Sequence, residues 1–106
     1  MKNEAVSLVN DYSRLTMISQ SDVHHKVYDI LLKQHGIDVR QRVANERERI
    51  NAEHYSKKGK RYSESTLKSK VNGIDVMVRD GVLDRFNAIL VGLLAAEKDR
   101  SLPVAP

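Results

Sequence analysis

The chain contains no cysteine and no tryptophan, and only one phenylalanine. Without cysteine there are no disulfides, no thiolate metal ligands and no cysteine nucleophile. That usage fits a reducing compartment, so the cytoplasm is the expected location. Long hydrophobic runs are also missing: Ala88 to Ala96 is about half of the roughly 18 residues that cross a bilayer, so no membrane partner is expected. Asn3 and Glu4, not an apolar stretch, follow Lys2, and no secretory signal is read there. A large excess of charge of one sign is absent too. Eighteen Lys and Arg against fourteen Asp and Glu leave a net +4, compatible with a polyanionic partner without requiring one.

What is present is an ordinary globular balance, 41% apolar and 30% charged over 106 residues, enough for one domain with a modest core. Apolar spacing predicts helices. From Asn3 to Ile18, Val6, Leu8, Val9, Tyr12 and Leu15 recur at mostly three- and four-residue intervals, with Asn3 as the expected N-cap. Ser21 or Asp22 is expected to cap a second helix, whose stripe is Val23, Val27, Ile30 and Leu31 and which stops at His35-Gly36. Gly36 can close that helix in the left-handed conformation, and Asp38 can cap the next. The same wording returns at Asn72-Gly73-Ile74-Asp75, read as one stop-and-start device used twice rather than an internal repeat.

The third helix, Asp38 to about Ser56, is polar almost throughout, with a thin seam of Val39, Val43, Ala44 and Ile50. A helix of this kind projects from the body or lies across it on one narrow edge. A basic loop, Lys57-Lys58-Gly59-Lys60-Arg61, follows, and then a short helix from Ser63 or Ser65 through Val71. The last element runs from Asp75 to about Lys98 and is the most apolar. The expected fold is all-α, a small bundle of four to five helices over residues 1–100, with residues 101–106 as a flexible tail. An α+β alternative places a small hairpin at residues 66–86, because Asn72-Gly73 and Asp80-Gly81 are common hairpin dipeptides.

Enzymatic constellations are incomplete. His24 and His25 are adjacent and point about 100° apart on a helix, which does not make the same-face pair that zinc uses. No serine stands in a nucleophile elbow and no glycine-rich loop follows a strand. The expectation is therefore a binding protein, with no catalytic residue, cofactor or metal.

Nucleic acid is the first candidate partner. Lys57, Lys58, Lys60, Arg61, Lys68 and Lys70 face only Glu64 within residues 57–70, and each phosphate they neutralised would release a counterion. Tyr55 and Tyr62 flank the loop. Helix-turn-helix grammar at Gly36 adds Arg40, Arg42 and Arg47 as residues of a reading helix, although the aliphatic anchor expected six residues after the glycine falls on Arg42. Small size, helical punctuation and a basic middle are similar in style to small phage and plasmid regulators, and no residue role carries over from that likeness. The alternative is a protein-binding regulator, such as an antirepressor, antitoxin or inhibitor, that uses the mixed charge of Glu46, Glu48 and Glu53 beside the arginines. Homo-oligomerisation is expected through Phe86, Ile89, Leu90, Leu93 and Leu94, because the last helix is more apolar than a one-sided helix needs and because Gly92, with Ala88, Ala95 and Ala96, would let another helix approach closely.

Overall fold

The computed structural model describes residues 1–101. These form α1 (Lys2–Thr16), α2 (Gln20–His35), α3 (Val39–Lys58), α4 (Glu64–Lys70), α5 (Gly73–Arg79) and α6 (Leu83–Ser101), with no strand among the described residues. The fold is all-α. The described residues contain six helices, not four or five, because the expected last element divides at Asp80 and Gly81. Gly81 takes a left-handed φ of 71° and Val82 N–H donates back to the Met77 carbonyl, which ends α5 before α6 begins. Of the expected tail, Ser101 is the last residue of α6 and residues 102–106 lie outside the described residues.

The hairpin alternative at residues 66–86 is not realised. Asn72 instead caps α5, its side chain accepting from Asp75 N at 2.9 Å, so Asn72-Gly73 starts a helix. Side-chain caps also start α2 (Ser19, accepting from Asp22 N), α3 (Asp38, from Gln41 N) and α4 (Ser63, from Thr66 N). The cap of α2 lies just before the expected Ser21 or Asp22. Helix α1 begins at Lys2 without a side-chain cap, so the expected Asn3 cap is not realised, and it closes on Met17 with a φ of 60°.

The core is built mainly from α1, α2 and α6. Ala5, Val9 and Tyr12 of α1 meet Val23, Val27 and Leu31 of α2 and Phe86, Leu90 and Leu94 of α6. Met1 lies beside Asn87, and Leu15 beside Leu94 and Lys98, so α1 and α6 run in parallel. Here the expected oligomer surface needs correction. Phe86 and Leu90 are fully buried and Leu94 is 6% exposed, all three inside this chain's own core, while Ile89 and Leu93 are half-buried against it. Phe86, Leu90 and Leu94 pack the fold and offer no free face, whereas Ile89 and Leu93 remain part-exposed at its edge.

The body does not contain all of α3. At about 1.5 Å per residue this helix is about 30 Å long, and only its first half lies against α2 and α5. Val39 and Val43 reach the core and Ala44 faces solvent. Three polar ties fasten this half to the segment after α4: Arg42 to Asp80 at 3.2 Å, Arg79 to Glu46 at 2.7 Å, and Arg47 to the Val71 carbonyl at 2.8 and 3.2 Å. The remainder projects. Extents of 69 × 25 × 21 Å and a radius of gyration of 16.9 Å, against about 13 Å for a compact chain near this length, record that arm.

Candidate nucleic-acid interface

The arm ends where α3 runs out of helix formers. Lys57 and Lys58, expected in a loop, form its last turn, where positive charge suits the carbonyl end of the helix dipole. Lys57 also pairs with Glu53 at 3.1 Å. Gly59 closes the helix with a φ of 74°, its N–H donating to the Tyr55 carbonyl at 2.8 Å.

The chain then folds back along α3. Asn51 is 8% exposed and its Oδ1 accepts from Tyr62 N at 2.7 Å. His54 donates from Nδ1 to the Lys60 carbonyl at 2.7 Å and stacks on the Tyr62 ring, with centroids 3.8 Å apart and planes 20° apart. Ser63 caps α4, and Arg47 takes the carbonyl of Val71 at its far end. Nothing on α4 is buried, so these few bonds, with half-buried Thr66 and Leu67, hold it to the arm.

All six predicted cations of residues 57–70 lie on the last turn of α3 and on this return, with Lys57, Lys58 and Lys70 along one groove. Three are occupied: Lys57 with Glu53, Arg61 with Glu48 at 2.8 Å, and Lys70 over the Tyr62 ring at 5.1 Å. Lys58, Lys60 and Lys68 are exposed, and no side-chain hydrogen bond or ion pair of theirs is found among the described residues. An open groove of about 520 Å³ lies between α3 and the end of α4, with Lys57, Lys58 and Lys70 along it and His54 and Tyr62 in its wall. Tyr62 already has His54 and Lys70 against its ring, whereas Tyr55 is 57% exposed and open to stacking.

The helix-turn-helix cations are not part of this cluster. Arg40 bonds to Asp29 at 2.9 Å and to the His25 carbonyl, and lies 5.7 Å from the Tyr28 ring. Arg42 and Arg47 are half-buried in the ties described above. The turn itself forms as expected, with Gly36 at a φ of 67°, but its arginines bind the chain's own body.

Along the outer side of α3 the mixed charges satisfy one another. Glu46 bonds to Arg49 at 2.7 Å, and Arg49 to Glu53 at 3.3 Å, the three- and four-residue pairs expected from the spacing. Hydrogen bonds from Arg49, with Arg79 adding to them, hold the Glu46 carboxyl below its ordinary pKa; Lys57 first and Arg49 next do the same for Glu53. No group of three or more His, Asp or Glu is close enough to share a metal ion among the described residues. No described helix is long and apolar enough to cross a membrane. Comparison with protein-family models, curated proteins and solved structures returned no match.

Proposed function

We propose that this protein is a small nucleic-acid-binding regulator that acts by binding, not catalysis, and contacts the phosphate backbone with the tip of its arm. One observation carries the reading. Six cations from the end of α3, the following turn and α4 lie on the arm and its return, Lys57, Lys58 and Lys70 along one groove, and the side chains of Lys58, Lys60 and Lys68 lack an internal partner among the described residues. Clustered free cations of this kind have no role in holding the fold, and phosphate is the ligand that rewards them most, through counterion release. Exposed Tyr55 adds an aromatic face beside them. Recognition of a particular base sequence needs side chains at base edges, and Arg40, Arg42 and Arg47 are engaged elsewhere. The reading is therefore backbone binding with little sequence preference.

A protein partner has less to draw on. The charge-patterned face that favoured it is largely spent on its own pairs, Glu46 with Arg49 and Arg79, and Glu53 with Arg49 and Lys57.

The test is fluorescence anisotropy with labelled random duplex DNA and a matching RNA. Binding should weaken steeply between about 50 and 200 mM salt, and replacing Lys58, Lys60 and Lys68 with alanine should flatten the slope of log affinity against log salt by up to about three. Circular dichroism should be unchanged, since all three side chains are exposed. No binding by the wild-type chain at the lower salt refutes the reading and directs the search to proteins.

A further inference from the structure

The outer face of α6 has no polar residue over its middle, where a solvated helix carries them. Its core side is Leu83, Phe86, Asn87, Leu90 and Leu94. At about 100° per residue, Arg85, Ala88, Gly92, Ala96 and Asp99 fall within about 40° of one line on the opposite side. All five are exposed, and from Ala88 to Ala96 the helix has no polar residue on any side. Beside this line an open groove of about 400 Å³ between α2 and α6 adds Ile30, Ile89 and Leu93, and Val91 is 52% exposed on the other flank. A one-sided helix pairs its apolar stripe with a polar outer face; here the outer face is apolar for about two and a half turns and charged only at its two ends.

Those end charges identify the occupant. We propose that a second copy of this chain docks on this face, with the two α6 helices antiparallel and related by a two-fold axis at Gly92. Arg85 lies seven residues before Gly92 and Asp99 seven after, so each Arg85 meets the partner's Asp99, and Ala88 meets the partner's Ala96. Parallel packing would set arginine against arginine and aspartate against aspartate, so the charges select the antiparallel order. Neither Arg85 nor Asp99 has an ion pair within this chain among the described residues. The axis position fits as well. A Cβ built on Gly92 meets nothing within 4 Å, so packing within one chain does not require glycine there, although glycine is a poor choice inside a helix. A second backbone approaching to about 8 Å does require it.

This proposal does not depend on nucleic-acid binding and is tested apart from it, by sedimentation equilibrium of the full chain without nucleic acid. Mass should rise from 12.0 kDa towards twice that value as concentration increases from about 1 to 100 μM, the range in which a weak dimer forms. Gly92→Arg should remain monomeric with unchanged helix content, because its side chain enters open space in the single chain. Should that variant lose helix, the charge exchange decides. Arg85→Asp and Asp99→Arg should each weaken the dimer about tenfold or more, since each replaces two attractions with two repulsions, and the double variant should regain affinity close to wild type. A chain that stays monomeric throughout overturns the proposal. So does a dimer indifferent to Gly92→Arg, or a double variant no tighter than the single ones.

Discussion

Replacing Gly73 with alanine adds one methyl group to the first turn of α5. In an open helix that change is favourable, by up to about 1 kcal/mol. Here the space is taken. A Cβ at Gly73 would overlap the Tyr28 hydroxyl oxygen and sit 2.9 Å from Tyr28 Cζ. The ring has little freedom to yield: it is 9% exposed, with the rings of His24 and His25 each 5.9 Å away, Phe86 at 6.2 Å and the Arg40 guanidinium at 5.7 Å. Overpacking a filled site costs about 1–3 kcal/mol, which exceeds the propensity gain. We expect Gly73→Ala to destabilise the protein by about 1–2 kcal/mol, a fall in Tm of about 4–16 °C for a domain of this size.

The assay is thermal and urea unfolding followed by circular dichroism, with Tyr28→Phe as the diagnostic partner. Removing the hydroxyl removes the closest overlap and leaves the Cζ approach, so the double variant should recover part of the loss, with a coupling of about 0.5–1.5 kcal/mol. Gly73→Ala at or above wild-type stability would show that the α5 start and Tyr28 are not locked together. A double variant with no recovery would place the cost somewhere other than the ring.

Two further outcomes follow from single side chains. His24 is half-buried against Phe86 and Tyr28, and burial first, then the charge of His25, lowers its pKa below 6.5. Above pH 6.5 both folded and unfolded forms are neutral; below it the unfolded chain takes the proton first, so stability falls with pH until the folded pKa is passed. His24→Gln should reduce that loss in unfolding curves between about pH 6.5 and 5, whereas the carboxylates held low by Arg and Lys, Glu46, Glu53, Asp75 and Asp80, add their own loss only below about pH 4.5; an unchanged slope in the variant would refute the His24 assignment. Asn51→Ala leaves the Tyr62 N–H without its acceptor, a loss of about 1–3 kcal/mol confined to the tip. Trypsin should then cut at Lys60 or Arg61 several-fold faster while global Tm changes little, and equal cleavage rates would mean that Asn51 does not hold the return.

The sequence was most legible where one residue determines a local backbone state. Gly36 stops α2, and Asp38 and Ser63 start α3 and α4, because a left-handed φ or a side-chain cap needs no distant partner. Gly81 is the instructive exception. Its signal was visible, but the apolar stripe on both sides of it reads as one helix unless the Val82-to-Met77 bond that turns the chain is known. The mixed charges of α3 divide along the same line. Glu46–Arg49 and Arg49–Glu53 follow from spacing alone. Arg42 with Asp80, Arg79 with Glu46 and Arg47 with Val71 span 38, 33 and 24 residues, and only the folded chain brings them together. Two of those ties remove Arg42 and Arg47 from the candidate interface, and the bond from Arg40 to Asp29 removes the third predicted arginine, so the site became narrower once the fold was known.

The last helix shows why composition locates an excess of apolar surface without locating its face. An uninterrupted Ala88-to-Ala96 run gives every direction around the axis the same apolar character. From sequence, both the large side chains Phe86, Ile89, Leu90, Leu93 and Leu94 and the small Ala88, Gly92, Ala95 and Ala96 read as features of an interface, and nothing tells which face they share. Packing separates them: large side chains fill the space nearest the chain's own core, because α1 and α2 are covalently present and dock first at any concentration. What remains for a second copy is the surface the monomer could not use, Ala88, Gly92 and Ala96, with Arg85 and Asp99 at its ends. The small residues that contribute least to one chain's core are the ones that let two backbones come close.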